Sequence, residues 1–357
     1  MPARVSLRDI AAQARVSHTT VSLSLRNDPR ILPGTRKKIA RIAATLGYQR
    51  NAILGDLMGY LRTLKTQPTR STLGFITAWP TRDGWRQAAN HRRFFAGAQA
   101  RARELGYALD EFWLREKSMT PARMTGILRA RGIKGLVLHS LPESNGRLDL
   151  HWEHFACVTK GLTVAVPAMH RVVSSHYDDM QLVLGKLKQK GYQRLGLVLG
   201  QAHDVRVGRA WLASYCLHEN EIAPRTRIPA LLYPKPDPAL FARWLQEHQP
   251  EVILCADQLV PQWLAELGPA IRRKVGLVHL DWSPEYAPLA GIDSDSEVLG
   301  TAAIDLLVGQ LHAHEYGIPR REKVVEVMGR WVPGAIFPER ILRETGKGFA
   351  RASRAGA

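Results

Sequence analysis

Two short helical periods, three residues apart within Leu7–Arg26, constrain the front of this 357-residue chain more than any other feature. Leu7, Ile10, Ala11 and Ala14 recur at i, i+3, i+4 and i+7, the single apolar face of a short helix. Arg15-Val16-Ser17 interrupts that period. Ser17 is placed to cap a second helix, because its hydroxyl can accept from a free backbone N–H. The second helix turns Val21 and Leu25 inward and leaves His18, Thr19, Ser22, Leu23 and Arg26 on other faces, with no acidic residue among them. A third helix opens at Leu32-Pro33-Gly34-Thr35, since Pro33 lacks the N–H that the first helical position leaves unpaired anyway. Ile39, Ile42, Ala43 and Leu46 form its apolar face, and Gly47 ends it. A helix-turn-helix offers the N-terminal side chains of its second helix to base edges in the major groove. A plain helical hairpin, with Ser and Thr serving only as caps, satisfies the same pattern.

Charge favours the first without deciding between them, since solvated basic faces are common. Residues 1–70 hold 13 Lys or Arg against 3 Asp or Glu, so more than half of the chain's formal +18 falls in its first fifth. A local basic excess is the electrostatic footprint of a module that binds a polyanion. Arg36, Lys37, Lys38 and Arg41 on the third helix are expected to face water or phosphate.

Asp9-Ile10-Ala11, Val16-Ser17, Thr20-Val21-Ser22, Thr35-Arg36, Leu46-Gly47-Tyr48 and Asn51-Ala52 together resemble the LacI family of transcriptional regulators. The resemblance implies direct base readout by His18, Thr19 and Leu23, with Ser17, Thr20, Ser22, Tyr48 and Asn51 holding phosphates. Four positions depart from the family pattern: Arg15 stands for a usual Gly, Leu23 for an Arg, Arg26 for an Asn and Arg50 for a Pro. Leu23 removes a side chain able to reach guanine O6 and N7 together, so a different operator is expected.

Residues 51–70 read as a hinge helix and linker, with Ile53, Leu54, Leu57 and Leu61 on one line and Gly55 and Gly59 weakening it. The resemblance implies that this helix pairs with that of a dimer mate over the minor groove, with Leu57 as the wedge that kinks the duplex. A flexible linker with incidental leucines, and with Asp56 beside the supposed wedge, is the alternative.

From Ser71 the pattern becomes that of an α/β domain, 71–339. The apolar runs 72–79, 135–141, 194–200, 252–257 and 275–281 lack polar alternation, as strands covered on both faces do. Amphipathic stretches at 94–105, 122–131 and 180–190 lie between them, which predicts doubly wound parallel sheets. Two sets appear, lobe 1 at about 71–166 with 294–330 and lobe 2 at about 167–293. Leu299–His312 reads as a helix and Lys323–Gly329 as a strand returning to the first set, and 340–357 is a basic tail. The resemblance implies a periplasmic-binding-protein-like effector and dimerisation domain with a ligand cleft between its lobes. Ligands of such sheets sit beyond the carboxyl ends of strands, which selects Trp79, Asp257 and Asp281, and the family pattern adds Arg209 in the helix that follows. An Asp at a strand end also serves simply to cap the next helix. Ser175-His176 and Ala256 replace residues common in the family, which argues against a common hexose as ligand.

No dinucleotide or phosphate-loop glycine pattern, nucleophile elbow or HExxH is present. His151 with His154 and His312 with His314 lack ligand spacing, so no metal and no cofactor is expected. Cys157, Cys216 and Cys255 read as buried thiols rather than a disulfide framework. With no export signal and no apolar run of membrane length, a cytoplasmic, nucleoid-associated protein is expected. The reading is a homodimeric, non-enzymatic repressor on palindromic double-stranded operator DNA, its affinity set by an effector of carbohydrate type. A soluble sugar-binding protein without regulatory DNA binding is the rival.

Overall fold

The computed structural model describes residues 6–25, 28–46 and 71–334. The expectations that rest on Gly47, Tyr48, Asn51, Leu57 and the basic tail lie outside the described residues.

Three helices come first: α1 (Leu7–Ala14), α2 (His18–Leu25) and α3 (Pro33–Thr45). Ser6 and Asp9 form a reciprocal capping box at the start of α1, each side chain bonded to the other residue's backbone N–H. Arg15 ends α1 in the left-handed region at φ 56°. Lys38 Nζ on α3 donates to Ala14 O at 3.1 Å, so this expected phosphate-facing lysine instead caps the C-terminal end of α1. The small core is Ile10, Ala11, Ala14, Val21, Ile39 and Ala43, with Leu7, Val16, Leu25, Ile42 and Leu46 packed against it. Three helices each burying one stripe against the other two is what their apolar periods require.

The chain divides into two compact units, residues 1–173 with 296–325, which includes the three helices, and residues 174–295 with 326–357. The first holds β1 (Ser71–Thr77), α4 (Ala89–Glu104), β2 (Tyr107–Trp113), α5 (Pro121–Ala130), β3 (Gly135–Leu138), β4 (Gly146–Arg147), β5 (Ala156–Lys160), β6 (Val164–Val166) and β7 (His170–Ser174). The second contains α6 (His176–Gln189), β8 (Leu195–Gly200), α7 (Gln201–Arg206), α8 (Ala210–Glu221), β9 (Leu231–Tyr233), α9 (Pro238–His248), β10 (Val252–Cys255), α10 (Leu259–Glu266), α11 (Pro269–Arg272), β11 (Gly276–His279) and β12 (Ala290–Asp293). Helix α12 (Ser296–Ala313) and strands β13 (Val324–Val327) and β14 (Arg330–Val332) follow.

One sheet has the order β13-β7-β5-β3-β1-β2, the other β14-β12-β11-β10-β8-β9. Pairings from β1 to β3, β5 and β7 are parallel, as are those joining β8 to β12. The exception is β14, antiparallel to β12, a closing edge strand beyond the stretch expected to be the last strand. In the first unit α12 lies tightly on α4. A Cβ on Gly300 would stand 2.1 Å from Phe94 O and one on Gly97 2.1 Å from Glu297 O, so only glycine permits this approach.

Candidate functional site

The polar face of α2 is the first candidate. Ser17 Oγ accepts from Thr20 N at 3.1 Å, the expected cap, and lies 2.8 Å from Thr20 Oγ1. His18 and Thr19 are exposed and Ser22 and Leu23 half-buried, while Val21 and Ser24 point into the core. Ser24 was not foreseen there, because a Ser inside a helical period reads as a surface residue. Leu23 is not among the side chains packed on the helical core.

Trp79 lies two residues beyond β1. Its indole N–H donates to Ser140 O at 2.9 Å and its carbonyl accepts from Trp113 Nε1 at 2.8 Å. His91 stands edge-on to that ring at 5.5 Å and to the buried His139 at 4.5 Å. Neither histidine was selected from the sequence, since each is isolated in the linear pattern. Also in the first unit, a cavity of about 200 Å³ is lined by Leu114, Arg115, Met119, Met124 and Glu143 but not by Trp79.

In the second unit Asp257 and Asp281 each follow their strand by two residues. Asp257 Oδ1 accepts from Leu259 N at 2.9 Å and Val260 N at 3.4 Å, and the Tyr233 hydroxyl donates to Oδ2. The helix-capping alternative is therefore real for this residue. Asp281 occupies a different position: its charge acts on His176, His203 and His279. Burial lowers all three imidazoles, His176 and His279 to about 4, and the Asp281 carboxylate opposes that shift. Tyr286 stacks on His279 with centroids 3.7 Å apart, and His176 meets Trp211 edge-on at 4.8 Å. Among the described residues, His279 Nε2 and Trp211 Nε1 have no hydrogen-bond partner.

Arg209 does not lie within a helix as expected. It precedes α8 at φ 60°, is exposed, and pulls the buried Asp204 carboxyl down against the upward push of burial. It is not among the charges that act on the three histidines. Asp257 and Asp281 thus act on one set of histidines, His203 and His279.

Cys216 is exposed, contrary to expectation, while Cys157 and Cys255 are buried. Its period put it in an apolar run, but α8 buries Trp211, Ser214 and Tyr215 instead. No three His, Cys, Asp or Glu side chains converge on metal geometry among the described residues. No helix among them is long and apolar enough to cross a membrane.

Residues 6–51 match the family described as bacterial regulatory proteins, lacI family. Over 47 residues the chain is 51% identical to the "Probable HTH-type transcriptional repressor ExuR" of Bacillus subtilis (strain 168), a match covering 13% of this chain and 14% of that relative's length. Along nearly its whole length it shares the fold of a lac repressor dimer solved with operator and the anti-inducer ONPF, at TM-score 0.53 and 19% identity, covering 94% of this chain and 99% of the other. The transcriptional regulator CelR in complex with cellobiose is similar at TM-score 0.53 and 17% identity, with 92% and 98% covered.

Proposed function

From a LacI-family helix-turn-helix domain at its N-terminus, followed by an α/β fold shared with LacI-type repressors, we propose that this chain is a sequence-specific transcriptional repressor. It acts as a homodimer on a palindromic duplex operator, at the nucleoid, and a small molecule sets its affinity. The observation that carries this reading is the exposed, acid-free face of α2, capped by Ser17 and held by a complete three-helix core. His18, Thr19 and Leu23 are assigned to bases, and Ser17, Thr20, Ser22, Tyr48 and Asn51 to phosphates. Leu57 is assigned to a minor-groove wedge in the 51–70 hinge. A carbohydrate or derivative is assigned to the strand ends of the second unit, with Asp257, Asp281 and Arg209 for hydroxyls, and in the first unit the Trp79 ring face is assigned to stacking on an apolar sugar face. That ligand works by differential affinity for the DNA-competent and incompetent arrangements of the protein. A free-standing sugar-binding protein has no use for α1–α3.

Mobility-shift titration of the full-length protein on DNA upstream of its own gene tests the reading. Specific, palindrome-dependent retardation that weakens steeply as salt rises is expected, because each neutralised phosphate releases counterions. Binding without sequence preference, or none, overturns it. A thermal-shift screen over sugars, sugar acids and nucleobases then seeks the effector, with Asp281→Asn expected to lose its stabilisation.

A further inference from the structure

At about 100° per residue, Thr19 and Leu23 lie one above the other on α2, on the side opposite the buried Val21 and Ser24. His18 and Ser22 form the neighbouring row. That side of the helix thus carries an exposed Thr19 and a half-buried Leu23, and Leu23 is not among the side chains of the helical core. The sequence of the helix, HTTVSLSL, holds no Arg, Lys, Asn or Gln, the side chains that read guanine or adenine through paired hydrogen bonds. Two of its hydroxyl-bearing positions are committed elsewhere, Thr20 to Ser17 and Ser24 to the interior.

We propose that Leu23, with the Thr19 methyl beside it, reads the C5-methyl groups of thymine in the operator half-site, making recognition at these positions apolar rather than bidentate. A thymine methyl is the one apolar group that a base pair presents in the major groove, and its contact expels water from Leu23 at no cost in unpaired polar groups. Guanine or cytosine at the same place would set polar edges against an isobutyl group with nothing to bond them. His18 retains a ring N–H for one acceptor on an adjacent base. This inference rests on the regulator reading given above.

The test begins with full-length protein and a randomised duplex library, from which the preferred palindrome is selected. Each thymine of one half-site is then replaced by uracil, which removes only the methyl group. One or two adjacent positions are expected to lose about fourfold in affinity, the value of one buried methyl-sized group. In Leu23→Ala the same uracil substitutions should make no difference, and 5-methylcytosine in place of cytosine should bind the parent protein better than cytosine at that position. Leu23→Arg should shift the selected base there toward guanine, which also reports that the variant is folded. Uracil penalties absent from the parent, or persisting undiminished in Leu23→Ala, overturn the proposal while leaving the regulator reading intact. A library that yields no preferred sequence overturns both.

Discussion

In the helical domain the groups facing outward sit within six residues of a single helix, His18 to Leu23, and their positions follow from one cap and one period. At the strand ends of the second unit, His176, His203, Asp257, His279 and Asp281 arrive from α6, α7 and the segments around β10 and β11, spread over more than a hundred residues of chain. The first is a surface organised by local structure and held by a core of a few side chains. The second is organised by sheet order, and its geometry depends on every strand between β8 and β12. Damage should therefore spread differently in the two. A single core loss should remove the whole reading surface, whereas the strand-end group should tolerate local change and respond to charge.

The largest effect is expected from Ile39→Ala. Ile39 is fully buried in a core of six buried residues among those described, so the truncation should cost about 2–5 kcal/mol, comparable with what a three-helix unit has to spare. DNA binding should vanish while the main thermal transition of the α/β units stays put. A variant that retards operator DNA like the parent would show that the helical domain draws its stability from elsewhere.

That contrast also explains what the sequence made legible. The first two helices, the Ser17 cap and the apolar inward positions of α1 to α3 are local consequences of spacing and capping chemistry, so they could be read from the sequence alone, whereas the buried Ser24 could not. Five strands, β1, β3, β8, β10 and β11, were legible too, because strands covered on both faces lose polar alternation. The antiparallel edge strand β14 was not, since Arg330–Val332 is three residues long and gains its identity only by pairing with β12. The histidines around Asp281 were equally hidden. His203 and His279 are single residues in unrelated segments, and only the parallel order of β8, β10 and β11 brings them to one carboxylate. Arg209 was legible only as a family position: its place ahead of α8 at φ 60°, with its backbone N–H on Asp204 O, comes from the fold.

The next effect belongs to the first unit. Gly300→Ala would drive a Cβ into the backbone carbonyl of Phe94 on a rigid neighbouring helix, and overpacking of that kind costs about 1–3 kcal/mol, with the upper end expected here. Calorimetry should show the α/β transition moving down, with the isolated helical fragment unaffected. An unchanged transition would mean that α4 and α12 separate without penalty.

Charge offers a finer probe. Asp179 on α6 is buried, accepts from Gly329 N at 2.8 Å, and is pushed up to about 6 chiefly by burial, with Asp178, Asp281 and Glu326 adding to the push. A carboxyl whose folded pKa exceeds its unfolded value of 3.8 contributes its full stability below that value and loses it as pH rises through about 6. Asp179→Asn keeps an acceptor for Gly329 and removes the charge, so it should stabilise the second unit by about 1–2 kcal/mol at pH 7.5 and by almost nothing at pH 4. His279 runs the other way: held down to about 4, it destabilises the fold only as pH falls below 6.5. His279→Gln should accordingly gain on the parent between pH 6.5 and 4 and not above. Melting curves across that range check both signs, and a pH-independent difference for either variant would remove burial as the cause.

The smallest expected effect returns to the helical domain and isolates its local character. Arg15 ends α1 in the left-handed region, where its Cβ crowds the following carbonyl at a cost that glycine does not bear. Its N–H still reaches the carbonyls of Ala11 and Ala12, so the cap is formed and only the side chain is strained. Arg15→Gly keeps that bond and relieves the strain, but glycine also gives the unfolded chain more freedom to lose. The two nearly cancel, leaving a gain of at most about 1 kcal/mol in the helical domain. Removing one cation should meanwhile weaken DNA binding uniformly across sequences and reduce its salt dependence by about one counterion if Arg15 stands near phosphate. Sequence preference should not move, because preference is assigned to Thr19 and Leu23 on the far side of the turn. A change in the selected half-site would place Arg15 among the base-reading residues and extend the reading surface beyond α2.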